Sequence, residues 1–232
     1  MKYYKITNKD EKHNGMQYKT GLNVDILPFN PKGNCEPGGI YFSREDILAF
    51  LDYGCWIREV KLPKDAQVYE NPDKPKKWKA NKVILGCKYK ITAKKIQQLI
   101  DEGANANDSD AIKWAAVNGH LEIVKVLIKN GCNANNYAAL RYATKNGHLE
   151  IVKVLIKNGA NANDFYAIYH AAVNGHLEVV KFLIKNGANA NDFYAIYHAA
   201  KNGHLEIVKV LIKNGFISTP RQKAQMLLNG QL

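Results

Sequence analysis

The chain has 232 residues and a formal net charge of +12, long enough for two separate cores and basic enough to favour acidic partners, anionic surfaces or nucleic acid. Its four cysteines, Cys35, Cys55, Cys87 and Cys132, form no CxxC pair and no disulfide-framework spacing, so reduced thiols are expected. The N-terminal MKYYKITNKDEKHNG has no apolar signal core, and no apolar run reaches the about 18 residues of a membrane helix, which predicts a protein that is not secreted. The sequon at Asn107 then has no consequence.

Residues 1–88 are rich in proline, at Pro28, Pro31, Pro37, Pro63, Pro72 and Pro75. GGIYF reads as a strand after a Pro-Gly turn. Ser43 is the expected cap of a helix with Glu45 and Asp46 in its first turn and Ile47, Leu48, Phe50 and Leu51 inside. WIREVKL, AQVYE and WKANKVIL follow as strands. The order predicts a small α+β leader with a modest core, helped by docking on the segment that follows. Lys74, Lys76, Lys77, Trp78, Lys79 and Lys82 mix cations with an aromatic, the composition of a nucleic-acid contact. Pro72 and Pro75 predict a loop there, for which the plainer reading is a solvated edge. Glu36, Arg44, Glu45, Asp46, Arg58 and Glu59 offer acids and bases, but no motif fixes their geometry.

From residue 89 the pattern changes. Thr92 caps an expected helix with Ile96, Leu99 and Ile100, and GANAND follows; these residues, about 89–108, read as a half repeat. Four repeats then occupy about 109–220. NGHLEIVKVLIKNG begins at Asn118, Asn146 and Asn202, and NGHLEVVKFLIKNG at Asn174, a period of 28 residues. Such a period marks stacked units, none able to bury its apolar face alone. Within a unit the Asn-Gly breaks predict two short helices. Leu121, Val124, Leu127 and Ile128 recur at helical spacing, while Glu122, Lys125 and Lys129 form a polar stripe. Ala115 and Ala116, with Ala171, Ala172, Ala199 and Ala200, let helices approach closely. A cap helix over about 219–230 follows Ser218, Thr219 and Pro220.

GHLEIVKVLIKNGANAN resembles the second helix and exit loop of an ankyrin repeat, and AIYHAAKNGHLE resembles its first helix and turn. The resemblance covers roughly residues 93–220 and recurs in register. An ankyrin repeat has about 33 residues. Aligned on the alanine pairs, the residues missing here lie in the projecting β-turn. The implied fold is therefore an α+β leader followed by an all-α ankyrin-type solenoid with largely absent β-hairpin fingers, residues 1–88 and 89–232. The same alignment puts Lys113, Arg141, Tyr169 and Tyr197 at the family's helix-capping His. Short repeats behind a non-repeat leader resemble the ankyrin proteins of giant DNA viruses, which implies a place in the host cytoplasm or nucleus, or in the virion.

His120, His148, His176 and His204 form a ladder whose layers, about 8–10 Å apart, are too distant to share a metal bound at about 2 Å. A structural role is expected for them, and a packing role for His170 and His198. No P-loop, G-x-S-x-G, H-E-x-x-H or zinc spacing occurs. No catalytic residue, metal or cofactor is expected. The family's concave-side positions, which vary with the partner, fall on Val117, Lys145, Val173 and Lys201; with Lys113, Arg141, Tyr169 and Tyr197 one turn away they form a basic and aromatic stripe, and the resemblance implies that the concave face of the repeats takes the partner. The expected function is a non-enzymatic scaffold for a protein partner with an acidic or mixed surface. The alternatives are a nucleic-acid-associated protein using the basic leader, and an adaptor for a ubiquitin ligase.

Overall fold

In the computed structural model, which describes residues 2–32 and 36–217, the leader begins with four strands that the sequence pattern does not announce. They are β1 (Tyr3–Thr7), β2 (Lys12–His13), β3 (Met16–Gln17) and β4 (Gly21–Val24). β5 (Ile40–Phe42), β6 (Trp56–Lys61), β7 (Val68–Asn71), β8 (Lys77–Ala80) and β9 (Lys82–Lys90) follow. One sheet has the order β1-β6-β9-β4, a second β5-β8-β7, and β2 pairs with β3. β1 escapes sequence reading because Tyr4, Lys5, Ile6 and Thr7 are all buried, which erases the alternation of a half-buried strand. β2 and β3 are too short to carry a period.

Two expectations for the leader are corrected. WKANKVIL is not one strand: Asn81 accepts from Asp25 N and donates its own N–H to Gln67 O, so β8 and β9 part there into different sheets. Ser43 is not a helix cap. Its Oγ donates to Lys76 O at 2.6 Å, and its backbone exchanges hydrogen bonds with Tyr4. The helix is a 3-10 segment, Ile47–Tyr53, that begins after Asp46, whose carboxylate instead accepts from Lys76 N at 2.8 Å.

Apolar side chains of both larger sheets, including Ile40, Phe42, Val60, Trp78, Val83 and Leu85, share one core with Met16 and Tyr18. A buried ion pair lies beside it. Arg58 Nε and Nη2 meet the two carboxylate oxygens of Glu11 at 2.7 and 2.9 Å, and Arg58 Nη1 donates to Thr20 Oγ1 and Gly86 O. Thr92 caps α1 (Ala93–Asp101) as expected, accepting from Lys95 N. This half repeat docks on the leader. Asn105 N donates to Glu45 O at 2.7 Å, the Tyr4 hydroxyl donates to Glu102, and the Lys95 ammonium lies 4.6 Å over the Tyr89 ring.

The chain divides into two compact units, Met1–Ala111 with Lys129–Cys132 and Ile112–Ile128 with Asn133–Leu232. Among the described residues, eight nine-residue helices form the repeats. The first helices are α2 (Ser109–Val117), α4 (Tyr137–Lys145), α6 (Phe165–Val173) and α8 (Phe193–Lys201). The second helices are α3 (Leu121–Lys129), α5 (Leu149–Lys157), α7 (Leu177–Lys185) and α9 (Leu205–Lys213). α4 packs on α6 and α6 on α8, while α5 packs on α7 and α7 on α9. Alanines 139, 143, 167, 171, 195 and 199 have no exposed surface, which is what lets the first helices approach. The segments linking one unit to the next contain no strand among the described residues, so the fingers are absent there. The expected cap helix over 219–230 lies outside the described residues.

Candidate functional site

Each first helix of the last three repeats starts from a side-chain cap. Asn136, Asp164 and Asp192 accept from the backbone N–H three residues on, at 3.0, 3.1 and 3.1 Å. Helical spacing then turns the alanines and isoleucine of FYAIYHAA inward and its aromatics outward. Phe165 and Tyr166 are 50% and 45% exposed, Tyr137 66% and Tyr194 58%. Ring contacts run in a row from Tyr166 through Phe165, Tyr169, His198, Tyr197 and Phe193 to Tyr194. Phe165 stacks on Tyr169 with centroids 6.4 Å apart, Tyr169 meets His198 edge-on at 5.8 Å, and His198 contacts Tyr197. Phe165, Tyr166 and Tyr194 thus offer apolar surface to solvent.

Of the eight expected partner-binding residues, Lys145 and Lys201 are exposed, and Lys113, Val117, Arg141, Tyr169, Val173 and Tyr197 are partly buried. Arg141 is committed within the array. Its guanidinium meets the Asp164 carboxylate through two 3.0 Å bonds and lies 4.1 Å over Tyr166 and 4.9 Å over Tyr137. A helix cap, a cation and two rings thus lock α4 to α6. His170 lies against Tyr166 and Tyr169. Its burial, and then Lys145 and Arg141, push its pKa below the ordinary imidazole value, so at neutral pH this ring adds no charge to the face.

The histidine ladder is structural. Nε2 of His148, His176 and His204 lies 3.2, 2.9 and 3.1 Å from the carbonyl oxygens of Val117, Lys145 and Val173, each in the preceding repeat. The rings fill the space above the turn glycines. A Cβ on Gly147, which has φ 72°, would fall 2.6 Å from Nδ1 of His176. Among the described residues no group of His, Cys, Asp and Glu could hold a metal ion.

One device was missed. The exit loops GCNANN (131–136) and GANAND (159–164 and 187–192) carry an asparagine ladder: Asn163 Oδ1 accepts from Asn189 N at 2.9 Å, Asn135 Oδ1 from Asn161 N, and Asn191 Oδ1 from Ile217 N. Asparagines recurring at the repeat period in the exit loop were the available signal, because a loop with few backbone pairs of its own needs side-chain acceptors.

The leader's basic run is not one open patch. Lys77 and Lys79 are buried in β8, and the Lys79 ammonium donates to Lys32 O at 2.8 Å. Lys76 lies 3.5 Å from Glu70, Lys82 pairs with Asp65, and Trp78 is in the core. The expected loop is therefore a strand from Lys77 onward. The leader contains a cavity of ≈ 160 Å³ between β1, β5 and the 3-10 helix. Glu36, Arg44, Glu45, Asp46, Arg58 and Glu59 are all absent from its wall. Cys55, Cys87 and Cys132 are free thiols, and burial raises the pKa of Cys132 to about 11, which leaves it unreactive.

The family model for ankyrin repeats, three copies, matches residues 84–166 and 161–222. The chain belongs to the ankyrin repeat family. Among similar ankyrin proteins, one named for its ankyrin repeats in Acanthamoeba polyphaga mimivirus is 40% identical over 130 residues, 53% of this chain and 65% of that relative. A second is 40% identical over 129 residues, 51% of this chain and 42% of its own length. An uncharacterized protein of the same virus is 40% identical over 134 residues, covering 53% of this chain and 94% of its own. The chain thus spans under two thirds of the first two relatives. Ankyrin repeats are typically non-enzymatic, and their stacked surfaces suit a protein-interaction scaffold. No helix among the described residues is long and apolar enough to cross a membrane.

Proposed function

We propose that the repeats hold a partner protein on the outward face of α4, α6 and α8, and that the surface they recognise is acidic and carries apolar groups. The exposed row Tyr137, Phe165, Tyr166 and Tyr194 supports this reading most strongly. Tyrosines and arginines supply much of the binding energy at protein interfaces, since they bury large area with few rotatable bonds. Lys145 and Lys201 stand at the exposed ends of α4 and α8. Beside them, opposite charge on the partner speeds encounter and fixes orientation. Arg141 serves as the fastener of the face, keeping Tyr137 and Tyr166 in place, and not as a free anchor.

Affinity capture by the intact chain from nuclease-treated infected-cell extract tests the proposal. A partner retained despite nuclease is expected to be lost from the double variant Lys145→Glu with Lys201→Glu, and from Tyr166→Ala with Tyr194→Ala. Unchanged recovery by both pairs of variants overturns the assignment. Recovery abolished by nuclease instead points to nucleic acid held by the leader.

A further inference from the structure

The leader places an ammonium group where a cation is costly. Lys5 lies in the middle of β1, 7% exposed, and lines the cavity between β1, β5 and the 3-10 helix. Its Nζ donates one hydrogen bond, to Tyr41 O at 2.9 Å, and lies 4.6 Å over the Tyr18 ring. An ammonium has three donors. Among the described residues no carboxylate pairs with it. Asp25, the acid that acts on it electrostatically, is engaged elsewhere: its Oδ2 accepts from Gly39 N at 2.6 Å and its Oδ1 from Leu27 N.

The rest of the wall points the same way. Lys12, His13 and Lys77 add three more basic groups, and none of the lining residues is an Asp or Glu. Tyr4, Tyr18, Tyr41, Phe42, Phe50 and Tyr53 make most of the remainder aromatic. A buried cation is costly unless it is paired, and one hydrogen bond and one ring face are what offset it here. A cavity of ≈ 160 Å³ has the size of one that admits a benzene ring, about 150 Å³.

We propose that this cavity binds a small planar organic anion, a benzoate-sized aromatic carboxylate, with its ring between the aromatic walls and its carboxylate on Lys5. A singly charged carboxylate matches the Lys5 ammonium, and the wall holds no arginine to fork onto a phosphate. The site is separate from the repeat face and stands or falls without it. Burial holds the free Lys5 ammonium at about 8, below its ordinary range, and a bound carboxylate opposes that shift.

Titration of the intact chain with benzoate, acetate and benzyl alcohol, followed by calorimetry and by NMR of the lysine ε-CH2 groups, tests the proposal. Benzoate is expected to bind about tenfold or more tighter than either control, because only it offers both ring and charge. It should also move the Lys5 ε-CH2 signal. Lys5→Met keeps the volume and should lose benzoate by a similar factor while keeping benzyl alcohol. The proposal is overturned if benzoate binds no better than benzyl alcohol, if the Lys5 signal of the unaltered chain stays fixed, or if folded Lys5→Met binds benzoate as before. An N-acetyl aspartate amide added in parallel separates the two sources of a carboxylate: tighter binding of the peptide-like acid than of benzoate assigns the cavity to an acidic side chain and overturns the aromatic assignment.

Discussion

The repeats and the leader both rely on polar contacts, and they arrange them in opposite ways. In the repeats each polar contact recurs: a cap at Asn136, Asp164 and Asp192, a histidine on the carbonyl of the unit before, an asparagine on the next exit loop. In the leader each is single: Arg58 on Glu11, Lys5 on Tyr41 O, Lys79 on Lys32 O. A recurrent contact is spread over several interfaces, so one loss weakens one interface. A single buried charge has no such reserve. The comparison therefore predicts that the leader contains the most sensitive positions, and that the repeats respond evenly.

The largest effect is expected at Arg58. Arg58→Leu leaves the buried Glu11 carboxylate with only the Thr7 hydroxyl and the longer 3.5 Å contact to Lys88, which should cost about 3–5 kcal/mol of leader stability. Urea unfolding followed by the Trp78 signal checks this, and the loss should shrink when Glu11→Leu is added. Next come Leu155→Ala and Leu183→Ala. Both side chains have no exposed surface, so each should cost about 2–5 kcal/mol, and the two values should agree closely. Strongly unequal losses would break the picture of equivalent layers.

Lys5 sharpens the comparison through pH. Its folded-state value of about 8 lies below the ordinary 10.5, so the unfolded chain holds a proton that the folded chain has released between those limits. Stability attached to this group therefore rises across that window, and below it the buried charge costs about 3 kcal/mol. Lys5→Met should remove the slope and stabilise the leader at pH 7; unfolding at pH 7 and pH 10 measures both. Asp164→Ala is the smallest case. It removes the cap of α6 and frees Arg141, with an expected loss of about 1–2 kcal/mol, read by thermal unfolding.

Most of the array was legible because its signals repeat. The span Leu121–Lys129 could be placed from its own periodicity, and Gly119 and Gly147 marked the turns. The leader was harder for the reasons that make it sensitive. β1 buries Lys5 and Thr7 beside Tyr4, so its sequence resembles no half-buried strand. Ser43 has the residue type and spacing of a helix cap, yet Lys76 O takes its hydroxyl. Lys79 reads as surface and is wholly buried, because β8 is the middle strand of its sheet. For the candidate face, the stripe of residues 113–201 could be drawn from i,i+4 spacing. The tie of Arg141 to Asp164 could not, since it joins a helix to the cap of the next and depends on stacking geometry.

Hydrogen exchange on the intact chain with and without its captured protein shows whether the first-helix face of the repeats holds the partner. New protection is expected in α4, α6 and α8, with the leader strands unchanged. Protection confined to residues 2–90, with those three helices exchanging as in the free chain, would contradict it.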